Sequence, residues 1–73
     1  MMYCDLKRIS ENIKKLRYKK GWKFSYVSKR TEIEEKRLRK IENGQVTPNH
    51  FELYRLARVF EVSIDDIVYR DLK

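Results

Sequence analysis

The stretch GWKFSYVSKRTEIEEKRLRKIENG, residues 21–44, decides how this chain folds. Phe24, Val27 and Ser28 recur at helical spacing, and Leu38 and Ile41 repeat the pattern further on. Gly21 stops whatever precedes it, and Asn43-Gly44 supplies residues that tolerate the left-handed conformation ending a helix. The reading is of two short helices, about Lys23–Thr31 and Glu34–Glu42, joined by a tight turn. One local signal competes with that register. Thr31-Glu-Ile-Glu34 spells a capping box, which would start the second of these helices earlier and place Glu32 inside it.

Working outward, Leu6, Ile9, Ile13 and Leu16 predict a helix from about Asp5 to Lys20, with Lys14, Lys15 and Lys19 on its outer side. On the other flank Thr47-Pro48 reads as a helix start, because a threonine hydroxyl caps free amides and proline in the first turn has none to lose. That helix should run to about Phe60, with Leu53, Leu56, Ala57 and Phe60 inward and Arg55 and Arg58 outward. Ser63 then caps a fifth helix ending near Tyr69, its first turn holding Asp65 and Asp66, where carboxylates suit the helix dipole. The sum is an all-α, compact five-helix domain over residues 9–68. Residues 1–8 extend the first helix with some freedom to move, and 69–73 form a tail.

Size and composition limit what such a domain does. At 73 residues there is room for one core, and one cysteine and one histidine provide neither an internal disulfide nor a metal-ligand cluster. Cofactors and metals are therefore not expected. No nucleophile and base pair, carboxylate dyad or glycine-rich phosphate loop can be assembled, so an enzyme is the weakest class. Met1 to Lys7 lacks the apolar core of a signal peptide, and no apolar run approaches the roughly 20 residues that span a bilayer. A cytoplasmic location with no membrane partner follows as the expectation, and Cys4 reads as a free thiol.

The net charge of +7 is unevenly placed. Residues 7–40 carry fourteen Lys and Arg against four Glu, whereas residues 41–73 carry four against six acidic groups. Such asymmetry suits a domain with one face on a polyanion. Charge alone leaves a solvated basic surface equally open. The helix near 34–42 tips the balance: Lys36, Arg37, Arg39 and Lys40 surround a thin stripe of Leu38 and Ile41, as a helix entering a groove lined by phosphates requires.

Read together at their spacings, Asn12-Ile-Lys-Lys-Leu-Arg17, Lys20-Gly21, Ile41-Glu-Asn-Gly44, Pro48 and Val62-Ser-Ile-Asp-Asp-Ile67 resemble the phage-repressor and Cro type of helix-turn-helix proteins. The resemblance covers about Ile9 to Val68 and needs no gap from Gly21 to Gly44. It implies a lambda-repressor-like domain, with its helix-turn-helix at about 24–42, that binds double-stranded operator DNA as a homodimer on a palindrome and regulates transcription, most often as a repressor. Such proteins are bacterial or phage-encoded and sit on the nucleoid when bound. With no effector domain in view, a small-molecule ligand is not expected.

Residue by residue, the resemblance places Glu35, Lys36, Arg37 and Lys40 at base-facing positions, with Arg37 the best guanine reader. Lys23, Phe24, Asn43, Gly44 and Gln45 fall at phosphate-facing positions, the last three through backbone amides and side chains of the loop, while Arg39 projects to a different side of the helix and reads as a phosphate or surface residue. Arg17 and Glu42 match an ion pair tying the first helix to the end of the recognition helix.

Three departures stand out. Phe24 replaces the usual glutamine, so only its backbone amide is left for a phosphate. Glu32 replaces the usual turn glycine, implying strain of roughly 1 kcal/mol if φ stays positive. Glu34-Glu35 heads the recognition helix with two carboxylates. For Glu35 two readings stay open: stabilisation of the helix dipole, and acceptance of a bond from cytosine N4. A rival function is also open, that of an interaction module such as an antitoxin or immunity partner using acidic fourth and fifth helices, with DNA binding secondary.

Overall fold

A computed structural model describes residues 2–70, with side chains from residue 6 onward. Five helices follow one another: α1 (Met2–Lys20), α2 (Phe24–Thr31), α3 (Glu35–Glu42), α4 (His50–Phe60) and α5 (Ile64–Val68), with no strand among the described residues. The all-α, five-helix reading is correct. The first helix begins three residues sooner than its apolar spacing indicated. Tyr69, at the end of the chain's described part, is exposed. The side chain of Cys4 lies outside the described residues.

The core takes Ile9 and Ile13 from α1, Val27 from α2, Ile33 from the turn and Leu38 and Ile41 from α3. Leu56, Ala57 and Phe60 from α4 and Ile67 from α5 close it. Each helix thus buries one stripe, which is how short helices that are marginal alone become stable. Trp22 fills the α1–α2 corner, its ring stacked at 5.6 Å on Phe60 and 4.9 Å from Tyr26.

Helix ends explain the path between elements. Gly21 closes α1 at φ +70°, with open space where a Cβ would stand, so the backbone angle alone favours glycine. The capping-box alternative at Thr31 fails, because Glu32 is not helical: it ends α2 in the left-handed region at φ 62°, donating its N–H to the Ser28 carbonyl at 2.8 Å. Thr31 instead finishes α2, its hydroxyl donating to the Val27 carbonyl at 2.7 Å and accepting from the Ile33 N–H at 3.3 Å. Glu34 then precedes α3 without a side-chain cap.

At α4 the expected start is corrected. Thr47-Pro48 lies before the helix, and Asn49 is the cap: its side chain accepts from Glu52 N–H at 2.8 Å, and Glu52 accepts from Asn49 N–H at 2.8 Å. The signal was present as Asn49-His-Phe-Glu52, a capping box, and Thr-Pro masked it. At α5 the Ser63 cap stands as read, reinforced by a reciprocal bond in which Ser63 N–H donates to the Asp66 carboxylate.

A candidate nucleic-acid interface

The turn that joins α2 to α3 is only three residues, Glu32 to Glu34, so the two helices are set closely against each other with Ser28 half-buried where they approach. Behind them, Arg17 and Glu42 fix the far end of α3. Arg17 Nε donates to Glu42 Oε2 at 2.6 Å and Nη2 to Oε1 at 3.1 Å, while Nη1 reaches the Trp22 carbonyl at 2.9 Å. Both side chains are buried, at 10% and 3% exposure, so the two-bond geometry is what compensates their lost hydration. The bonded carboxylate holds the Arg17 guanidinium more firmly in its charged form than an isolated arginine.

Phe24 is explained by the same arginine. The Arg17 guanidinium lies 4.0 Å from the Phe24 ring centroid and that of Arg39 lies 4.8 Å from it. The ring that replaces a hydrogen-bonding glutamine thus becomes an aromatic platform for two cations, one from α1 and one from α3. Its backbone N–H and that of Ser25 open α2, where amides have no partner within the helix. Lys23 is exposed beside them.

Along α3, Glu35, Lys36, Arg39 and Lys40 are exposed, and Leu38, Ile41 and Glu42 are buried. Glu35 and Arg39 form a loose pair at 3.9 Å, one turn apart. Lys36 and Lys40 have no carboxylate within 4 Å among the described residues.

Arg37 is placed differently from its neighbours. Its Nε donates to Glu52 Oε2 at 2.5 Å and its Nη2 to Oε1 at 3.0 Å, with the Thr47 carbonyl 3.5 Å from Nη2. The bond to Arg37 is the main cause that lowers the Glu52 carboxyl below its ordinary pKa, and the same bond raises that of Arg37. A residue read as a free reader of guanine is therefore already held along one edge by α4. Spacing within α3 gave no sign of this, because the partner is fifteen residues away on another helix.

The loop after α3 is also more self-contained than expected. Asn43, Gly44 and Gln45 donate their backbone N–H groups to the carbonyls of Arg39, Ile41 and Lys40, at 2.9, 3.1 and 2.9 Å. Gly44, at φ +74°, allows this closure and approaches Ser10 of α1. Those amides are spent inside the helix end, which leaves the exposed side chains of Asn43 and Gln45 to face outward.

Two further placements were not foreseen. Asn12 is buried and its amide nitrogen lies 2.8 Å from the Ile67 carbonyl and 2.6 Å from that of Arg70, tying α1 to the end of α5. A buried asparagine within an apolar stripe was the available signal. The outward charges of α4 are Arg55 and Arg58, since Glu52 turns inward, so this helix offers no acidic face. With Arg30 they line a cavity of about 290 Å³.

No helix among the described residues is long and apolar enough to cross a membrane. Comparison with known protein families finds a match to the helix-turn-helix family over residues 13–67. Neither curated proteins nor solved structures gave a match. The matched span runs from the buried Ile13 of α1 to the buried Ile67 of α5 and encloses the α2–turn–α3 unit, and on that ground the chain belongs to the DNA-binding helix-turn-helix family of the phage-repressor and Cro type.

Proposed function

We propose that this protein is a sequence-specific, double-stranded DNA-binding transcriptional regulator, a repressor, that lays α3 in the major groove. The observation that carries this reading is the exposed, cationic outer face of α3, fixed from behind by the buried Arg17–Glu42 pair. Lys36 and Lys40 supply charge and reach, Glu35 meets a base donor at the head of the helix, and Arg37 presents its outer edge to one base pair. Lys23, the Phe24 amide, Arg39, Asn43 and Gln45 approach phosphates on either side and set the register. Gly44 contributes the turn rather than a donor.

An eight-residue helix is about 12 Å long and covers roughly four base pairs, too few to mark a unique site. Two copies on a palindrome double the read sequence, so the working form is a homodimer. The expected setting is the cytoplasm of a bacterium or of a phage-infected cell, on the nucleoid. Selection from random duplex DNA, followed by binding at two salt concentrations, tests the whole reading. An enriched palindrome is expected, bound with an affinity that falls steeply as salt rises, since neutralised phosphates release counterions. Failure to enrich any sequence, or a flat salt response, sinks it and favours the interaction-module alternative.

A further inference from the structure

Building on that DNA-binding reading, we infer that Glu52 is a specificity-determining positioning residue, which holds Arg37 in one orientation and withholds its charge from general phosphate attraction. The carboxylate is itself immobilised. Oε1 accepts from Asn49 N–H at 2.8 Å as well as from Arg37 Nη2, so Glu52 cannot swing away without uncapping α4. Its side chain is 11% exposed, against 40% for Arg37, so the anchor is largely buried and the cation protrudes from it.

Two of the guanidinium's nitrogens are committed, Nε and Nη2, and Nη1 makes no hydrogen bond among the described residues. An arginine held this way offers one preset donor edge instead of a mobile point charge. It also forms, with Glu52, a pair whose charges cancel at the distance of a phosphate. The other cations of α3 are unlike it. Lys36 and Lys40 are unpaired within 4 Å among the described residues, and Arg39 meets Glu35 only at 3.9 Å with both side chains well exposed. Non-specific attraction on α3 therefore falls to the lysines and Arg39, and Arg37 serves discrimination.

The test compares wild type, Glu52→Gln, Arg37→Gln and the double variant on the selected duplex and on a random duplex of equal length, at two salt concentrations. The amide of Glu52→Gln keeps an oxygen for the Asn49 N–H, so α4 retains its cap. Glu52→Gln should bind random duplex about three- to tenfold tighter, with a salt slope steeper by about one phosphate contact. Its preference for the selected site should fall about tenfold, and the double variant should show no such gain. Arg37→Gln should lower the preference for the selected site by a similar factor. Because it strands the Glu52 carboxylate, it should also weaken random-duplex binding, but by less than it weakens binding to the selected site, and this comparison holds even if Glu52→Gln does not fold. An equal loss on both duplexes for Glu52→Gln or for Arg37→Gln, or a gain that survives without Arg37, each overturns the inference while wild-type DNA binding stands. Wild-type protein that binds neither duplex overturns the DNA reading and this inference together.

Discussion

Arg17 makes a two-bond ion pair with Glu42, a bond to the Trp22 carbonyl and a cation contact over the Phe24 ring. Each joins a different part of the chain to α1, and the pair with Glu42 does so across buried surface. Removing one partner leaves an uncompensated buried charge, which costs about 3–5 kcal/mol. Glu42→Ala should therefore lose most of the stability of a domain this size. The apolar double variant Arg17→Met/Glu42→Leu leaves no stranded charge and should recover at least half of that loss in urea unfolding. A cost below about 1 kcal/mol for Glu42→Ala would show the pair to be a surface-like one.

At the scale of elements, the helix boundaries carry both the strain and the compensation. Glu32 and Glu61 are the positive-φ non-glycine residues among those described, each closing a helix in the left-handed region. Capping boxes at α4 and α5 offset such costs elsewhere. Glu32 sits in the turn that sets the angle between α2 and α3, and its side chain is exposed, so nothing is lost by removing it. Glu32→Gly should stabilise the domain by roughly 0.5–1 kcal/mol. This corresponds to a rise in Tm of about 3–6 °C. A fall in Tm would mean that the left-handed conformation is not the cost it is taken to be. The same position shows why a local motif misleads. Thr31-Glu-Ile-Glu34 has the residues of a capping box, yet the Thr31 hydroxyl is drawn back to Val27, because burial of Ile33 requires the chain to turn there.

On the whole-molecule scale, the five helices share one core within 32 × 21 × 19 Å. Leu38, Ile41, Leu56 and Ile67 are completely buried, and α5, only five residues long, is held by Ile67 and by Asn12 from α1. No helix has an interior of its own, so the domain should unfold as one unit. Trp22, in the α1–α2 corner, stacks on Phe60 at the end of α4 and reports that packing directly. Urea unfolding followed by Trp22 fluorescence and by far-ultraviolet circular dichroism should give coincident transitions. Separated midpoints would reveal a subdomain, with α5 the first candidate to come loose.

The periodicity of apolar residues, the glycines at 21 and 44 and the basic stretch 36–40 determined the helix count, the core stripes and the helix that carries the charge, because each is a local pattern read within one or two turns. Spacing also placed Arg17 and Glu42 where the fold joins them, once the resemblance to a family fixed the register. What only the tertiary structure decided are the partners that come from distant elements: Glu52 on Arg37, Arg17 and Arg39 on the Phe24 ring, and Asn12 at the end of α5. A side chain's neighbours across helices depend on how the helices cross, and no one-dimensional pattern encodes that angle. Arg37 therefore reads from sequence as a free reader of guanine, and only the docking of α4 makes it half of a pair.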